Sequence, residues 1–509
     1  MSEVSARAWW GLAVLALPTA LLSMDATVLY LAVPHLAADL QPSSTELLWI
    51  TDSYGFLIAA FLVPMGTLGD RIGRRKLLMI GAAAFAVISV LAAFAPSAEL
   101  LIAARALLGV AGATLMPSTL ALITTLFPDD RRRGVAIGIW AAALSGGAAL
   151  GPVVGGLLLG SFAWGSVFLI AVPIMALLLV TGPFLLPEHR DGGVGRIDVP
   201  SIVLSLAAVL GVVYGLKQAA DGDLGLVTVG AAVLGAAAAV VFVRRQRRLA
   251  DPLVDLRLFA DRSFTVALGV MLVAMGTTVG VYFFVTLHLQ QVLGLSPVQA
   301  GLWLVPSAAV MIVSSTLAPT LAARFGAAAV VAGSLAVAAV GFALLAFVDA
   351  GSSVLLPVAS LVVVYLGGGP VMTLATDLVV GAAPPERAGS ASALSETGGE
   401  LGLALGVALL GSVGIAVYRV TMAATLPAGL APDVATAAGD TVDGATAAAA
   451  GLPAQQAADL LAAAREAFAG GVSVVGTIAA VLTAALAVLV AVVLRRRSAP
   501  AEPGAHAAA

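Results

Sequence analysis

Apolar stretches of around twenty residues recur along nearly the whole chain, each bounded by Gly, Pro or charge. They fall at 9–34, 47–68, 77–95, 100–122, 134–159, 164–187, 199–217, 224–243, 264–288, 299–323, 327–347, 353–378, 393–418 and 472–494. A helix needs ~20 apolar residues to cross ~30 Å of hydrocarbon, so the pattern predicts about fourteen membrane-spanning helices rather than a barrel. Composition agrees: 61% of the 509 residues are hydrophobic and 10% charged, against roughly 25% charged in a soluble domain. The first run resembles a signal sequence, but more spans follow at once and no small-residue cleavage site precedes Pro34, so it is expected to be retained.

The net charge of -3 says little, whereas its distribution orders the spans. With the N-terminus inside, one side collects Arg7, Arg71, Arg74, Arg75, Lys76, Arg131 to Arg133, Arg190, Arg196, Arg244, Arg245, Arg247, Arg248, Arg257, Arg262, Arg324, Arg387 and Arg495 to Arg497. The other side receives Lys217, Arg419 and Arg465, and Arg105 lies within a span. Lys and Arg held on the cytoplasmic face set topology, so both termini are expected to be cytoplasmic, in a bacterial inner membrane.

An internal repeat divides the chain. Gly66-Thr-Leu-Gly-Asp-Arg-Ile-Gly73 after the second span is echoed by Pro319-Thr-Leu-Ala-Ala-Arg-Phe-Gly326 after the tenth, and Pro128-Asp-Asp-Arg131 by Pro384-Pro-Glu-Arg387. The repeat predicts two parallel lobes, 1–190 and 264–497, with an extra helix pair and basic loop at 191–263 and a flexible tail at 498–509. Transporters built on repeats bind substrate between them. The basic segment 244–263 reads as a topogenic, lipid-facing patch rather than a nucleic-acid site. The loop 419–471, with an amphipathic helix expected at 454–469, reads either as a cover for the outer mouth or as a tether.

Cysteine is absent and the four histidines, His35, His189, His288 and His506, are scattered, which gives no metal site. No Gly-x-x-x-x-Gly-Lys-Ser/Thr loop occurs, which disfavours ATP drive, and no catalytic constellation suggests an enzyme. No cofactor is expected.

Three motifs carry more information. Gly66-x-x-x-Asp70-Arg71-x-Gly73-Arg74-Arg75-Lys76 ends span two: Gly permits a tight turn, the cations fix orientation, and Asp70 suits an Arg or a helix N-terminus. Span five holds Gly147-x-x-x-Gly151-Pro152-x-x-Gly155-Gly156, whose spaced glycines make a flat groove for another helix, while Pro152 frees a backbone carbonyl and permits a bend. Span four offers Arg105-x-x-x-Gly109, span one Met24-Asp25-Ala26-Thr27 running through Tyr30 to Pro34, and span two Trp49-Ile-Thr-Asp52-Ser-Tyr54.

These residues together resemble the major facilitator superfamily. The first motif is similar to its signature loop, which in that family helps latch the two lobes on the inner side, and the second to the motif of its antiporter branch. Arg105-x-x-x-Gly109 resembles its proton-coupling helix, with Leu108 in the place of the usual glutamine. The span-one motif is similar to that of the fourteen-span drug/proton antiporter family, with Tyr30 replacing the usual asparagine. An acid at Asp52 resembles the subgroup exporting quaternary ammonium compounds and dyes. The resemblance covers essentially the whole chain and implies an all-α membrane fold of two six-helix lobes plus two extra central helices.

Ionisable groups in a span cost ~2.5–3.5 kcal/mol each on insertion scales and mark function by default. Here they are Asp25, Asp52, Arg105, Asp377, Glu396 and Glu400. At ~1.5 Å rise per residue Asp25, Asp52 and Arg105 reach comparable depths in the outer half, while Glu396 and Glu400 share a face in the inner half of span thirteen. Asp377 reads as a solvated residue near a helix end. Asp25 with Arg105 reads either as a permanent ion pair or as a proton carrier switched by a moving guanidinium. Asp52, Glu396, Glu400 and Tyr30 are expected to meet a substrate cation, and Trp140, Tyr282, Phe283, Phe284, Trp303 and Tyr365 offer rings for stacking on one.

The expected function is proton-coupled multidrug efflux of lipophilic cations by alternating access, conferring antibiotic and biocide resistance. The protein is expected to work as a monomer whose partners are small cations, protons and the lipid bilayer, with no nucleic acid. The nearer rival is an exporter of a neutral or anionic antibiotic or metabolite. More distant are a membrane enzyme and a proton-coupled importer.

Overall fold

The computed structural model describes residues 6–188, 198–220, 225–249, 252, 256–381 and 388–493, which are helical with no strand among them. Each apolar stretch lies on a helix. The first half comprises α1 (Ala6–Leu40), α2 (Ser44–Ile72), α3 (Arg74–Ala93), α4 (Ala98–Leu126), α5 (Asp130–Ser161), and α6 (Ser166–Leu169) with α7 (Ala171–Leu185) sharing the sixth span. Then come α8 (Val199–Ala220), α9 (Leu226–Gln246), α10 (Arg262–Leu287), α11 (Pro297–Phe325), α12 (Ala327–Leu344), α13 (Leu355–Gly381) and α14 (Ala388–Thr425). Two short helices, α15 (Pro432–Asp440) and α16 (Val442–Ala449), precede the final α17 (Ala454–Val493). Among the described residues, twelve helices are long and apolar enough to cross a membrane; α5 and α8 carry shorter apolar stretches at 146–161 and 199–212.

The amphipathic segment 454–469 is not a separate helix. It runs unbroken into the last span as the 40-residue α17, and α14 reaches Thr425, so the connection narrows from 419–471 to 426–453. Gly470 and Gly471 lie between the Ala-rich segment and the apolar run, yet no Pro interrupts the helix there, and Gly471 lets α17 press on α14, where a Cβ would lie 3.0 Å from the Gly414 carbonyl oxygen.

The repeat is visible in the backbone. Gly73 ends α2 and begins α3 at φ 111°, and Gly326, 253 positions later, ends α11 and begins α12 at φ 84°. Positive φ is cheap only for glycine. The starts of the same two helices match as well: Ser43 with Glu46 forms a capping box on α2, and Ser296 with Gln299 forms one on α11, again 253 positions on.

Within the first lobe α1 packs on α5, α2 on α4 and α3 on α7; in the second, α10 packs on α14, α11 on α13 and α12 on α17. The lobes meet where α5 touches α11 and α2 touches α14, and α8, paired with α9, leans on α2 and α14. The α8–α9 pair is tight because Gly211 and Gly235 face each other, and Arg245 clasps Asp198 through Nη2 and Oδ1 at 2.7 Å.

One end of the bundle is basic and the other is capped by α15 and α16. Asp440 at the end of α15 accepts from Arg419 Nε at 3.0 Å and from Ser44 Oγ at 2.9 Å, tying the cap to α14 and α2. Tyr418 donates to the Ala438 carbonyl at 2.8 Å, and Gln291, in a single π-helical turn after α10, donates to Asp443 at 2.7 Å. The segment is therefore docked against α2, α14 and the turn after α10 rather than hanging as a free tether.

Candidate functional site

Helix α5 carries two stripes of small residues. On the first, a Cβ at Gly147 would lie 2.0 Å from the Ala20 carbonyl oxygen and one at Gly151 would lie 1.9 Å from Thr27 Oγ1, with Gly155 against Val28; all three face α1. On the second, a Cβ at Gly156 would lie 2.8 Å from the Pro297 carbonyl oxygen, and one at Gly301 of α11 would lie 2.3 Å from that of Pro152. The expected groove is therefore double, holding α1 within the lobe and α11 across the lobes. The carbonyl freed by Pro152 is that of Ala148, and Thr27 Oγ1 donates to it at 3.4 Å, while Ser23 Oγ donates to Leu144 O at 2.6 Å.

Lobe-to-lobe packing falls in the cap-ward half. Besides Gly156 and Gly301, Gly411 of α14 presses on Leu48, Phe56 packs with Ala408, and Tyr30 meets Phe283 with ring centroids 5.3 Å apart. Beneath this closure lies a cavity of about 200 Å³ between the lobes. Its lining is largely apolar, with Met116, Met275, Met311 and Met372 among hydroxyl-bearing Ser23, Thr27, Tyr30, Tyr54, Thr278, Tyr282, Ser307 and Tyr365. Glu400 of α14 is the acid on its wall. Methionines adapt to differing shapes, and tyrosine rings attract cations through their faces.

Behind this wall sits the ion pair. Arg105 Nη1 lies 2.6 Å from Asp25 Oδ2, with side chains 1% and 9% exposed, and Arg105 Nε donates to the Ile50 carbonyl at 3.2 Å. The guanidinium also stands 4.4 Å from the ring centroid of Tyr54 and 6.0 Å from that of Phe168. Thus α1, α2 and α4 do converge at one depth, as the rise along each helix predicted.

Asp52 is buried near this cluster, its Oδ1 accepting from Thr51 Oγ1 at 3.3 Å, and it is not on the cavity wall. Tyr30 is on that wall, within electrostatic reach of Asp52, Arg105 and Glu400. Tyr282 and Tyr365 also line it, with centroids 6.4 Å apart. Among the other expected rings, Trp140 donates to Thr119 at 3.2 Å, Phe283 and Phe284 are packed in the core, and Trp303 is exposed. The side chains of Asp70, Asp377 and Glu396 lie outside the described residues. In the signature loop Arg71 is exposed, a Cβ at Gly66 would meet Pro117 at 4.0 Å, and Arg74 folds over Gly69. Arg75 bonds the Leu186 carbonyl at 3.0 Å and pairs with Glu188, so it fastens α3 to the end of α7 within one lobe.

The sequence pattern assigns no role to Tyr54, Ser23 or Thr27. Their partners lie on other helices, so periodicity along one helix gave no signal; the small residues facing them, Gly112 and Gly151, are the trace they leave.

Comparison with known proteins fits this architecture. The model of the Major Facilitator Superfamily matches residues 15–407. The chain is 47% identical to the multidrug efflux pump LfrA of Mycolicibacterium smegmatis, covering 96% of this chain and 97% of that protein. It is 37% identical to the methyl viologen resistance protein SmvA of Salmonella typhimurium, over 91% and 93%. The tetracenomycin C resistance and export protein of Streptomyces glaucescens is 33% identical over 81% and 76%. Among solved structures, an inward-facing, unoccupied bacterial homologue of the human lysosomal transporter Spinster superposes with TM-score 0.67 at 18% identity, covering 98% of this chain and 100% of that one. This chain belongs to the Major Facilitator Superfamily and is a multi-pass membrane transporter rather than an enzyme.

Proposed function

We propose that this transporter is a proton-coupled multidrug efflux antiporter that exports lipophilic cations across a bacterial inner membrane by alternating access. The observation that carries the reading is the buried Asp25–Arg105 pair set directly behind an apolar, tyrosine-rich cavity with an acid, Glu400, on its wall. A flat or bulky cation gains from ring faces and a carboxylate there, and the same carboxylates exchange protons. The basic end is cytoplasmic in this reading by the positive-inside rule, so both termini are inside and α15–α16 outside. Closure at the cap end then makes the cavity one that loads from the cytoplasm or inner leaflet.

In the cycle, a cation enters the cavity, a proton leaves a carboxylate toward the cytoplasm, the lobes rock, and reprotonation from outside accompanies release. One monovalent cation exchanged for one proton moves no net charge, so the pH gradient alone drives it; a second proton adds ~2.3 kcal/mol per 100 mV. Asp52 serves as a second acid favouring dications. The relatives named for multidrug efflux and methyl viologen resistance, the latter compound a dication, support this over the rival of a neutral or anionic antibiotic, which a tetracenomycin C exporter supports at lower identity.

The test is a dye-efflux and toxicity panel in a pump-deficient host. Resistance to quaternary ammonium compounds, ethidium and methyl viologen, abolished by a protonophore, is expected. Resistance confined to neutral or anionic antibiotics would replace the reading with its rival.

A further inference from the structure

We infer that Tyr54 is a positioning residue that conveys a bound cation's charge to the Asp25–Arg105 pair; the inference rests on the proton-coupled reading above. Among the described groups in direct contact with the Arg105 guanidinium, Tyr54 alone also lines the cavity: Asp25, the Ile50 carbonyl and the Phe168 ring hold the guanidinium from other sides. Its ring lies 4.4 Å from the guanidinium carbon, close enough for the electron-rich π face to attract it. A cation arriving at the part of the ring that borders the cavity draws on that same π density and repels Arg105 through the ring. Substrate charge thereby reaches the pair although neither Asp25 nor Arg105 is on the wall.

The local packing is built around this ring. A Cβ at Gly109 would lie 2.4 Å from the Tyr54 carbonyl oxygen, so α4 pins the α2 backbone at this residue and leaves the side chain to respond. A Cβ at Gly112 would stand 3.4 Å from the Tyr54 hydroxyl, so a larger residue there would crowd the ring. The hydroxyl is buried with no hydrogen-bond partner among the described residues, so the aromatic face, and not a polar anchor, fixes the contact with Arg105.

The experiment uses full-length purified protein with tetraphenylphosphonium as probe, measuring affinity from pH 5.5 to 8.5 and proton release in weak buffer. Wild-type protein is expected to bind more tightly as pH rises and to release protons. Tyr54→Phe keeps the ring and should keep both, whereas Tyr54→Met should bind at pH 8.5 within about threefold of wild type, with a flattened pH profile and release reduced at least fivefold. Tyr54→Leu offers a second ringless variant if Tyr54→Met does not fold. Wild-type pH dependence and release in the folded ringless variant overturn the inference, as does an equal loss in Tyr54→Phe, which would assign the role to the hydroxyl. Absence of release in wild-type protein itself would instead refute the proton-coupled reading and the inference with it.

Discussion

Arg105 Nη1 and Asp25 Oδ2 stand 2.6 Å apart on α4 and α1, almost sealed from solvent. Removing one partner of a buried pair strands the other charge, at a typical cost of 3–5 kcal/mol. The two partners differ in what would remain. Without Asp25, Arg105 keeps the Ile50 carbonyl and the Tyr54 ring; without Arg105, the carboxylate loses its cation. Arg105→Ala is therefore expected to lower the thermal midpoint in detergent more than Asp25→Asn does, and Arg105→Lys should not restore it, because an ammonium cannot bond Asp25 and Ile50 while lying against a ring. The reverse order of midpoints would contradict this account.

Adjacent glycines on α5 give a controlled comparison. A Cβ at Gly147 would collide with the Ala20 carbonyl, and one at Gly151 with Thr27, whereas Gly146 has nothing within 4 Å. Gly146→Ala should be neutral or slightly stabilising, since alanine favours helix by ~1 kcal/mol over glycine. Gly147→Ala and Gly151→Ala should separate α1 from α5 and displace Asp25, lowering ethidium efflux at least tenfold with normal membrane insertion. Full efflux by Gly151→Leu would reduce the motif to sequence likeness.

That contrast also indicates how much the sequence reveals. The long apolar helices are legible because hydrocarbon thickness sets their length, and the match of Asp25 to Arg105 because a fixed rise sets depth. Neither rule describes azimuth. Which glycines of α5 face α1 and which face α11, and that Asp52 lies off the cavity wall while Glu400 lies on it, depend on how each helix is rotated by its neighbours. The cap was equally hidden: α15 and α16 are short, and their docking rests on Asp440 and Asp443 meeting Arg419, Ser44 and Gln291 from distant parts of the chain.

Charge selection should separate the acids. Each added positive charge on a ligand gains its own Coulomb contribution, so a second carboxylate favours dications. Asp52→Asn is expected to lower resistance to methyl viologen and bis-cationic biocides more than resistance to ethidium. Glu400→Gln, on the cavity wall, should weaken both classes at least fivefold. Equal losses for both classes in Asp52→Asn, measured as inhibitory concentrations at matched expression, would give Asp52 a structural or coupling role.

The cap supplies the last prediction. Burial pushes the Asp443 carboxyl up to about 7 from its ordinary 3.8, against the opposing influence of its hydrogen bond from Gln291. In an undocked cap the same group would titrate near its ordinary value. Between these limits the docked form holds a proton that the undocked form has lost, so docking is strongest at acid pH. It weakens as pH rises toward 7, by at most ~1.4 kcal/mol per pH unit, and levels off above. The neighbouring Asp440–Arg419 pair anchors the other end of the cap. Hydrogen exchange over 432–449, corrected for intrinsic rates, should therefore show protection falling between pH 5 and 7 and little further change by pH 8. Asp443→Asn should flatten that profile while keeping the cap docked through Asp440. An unchanged pH profile in Asp443→Asn would show that Asp443 does not carry the pH dependence of docking, and labelling of Thr446→Cys from the cytoplasmic side alone would overturn the cap's external placement.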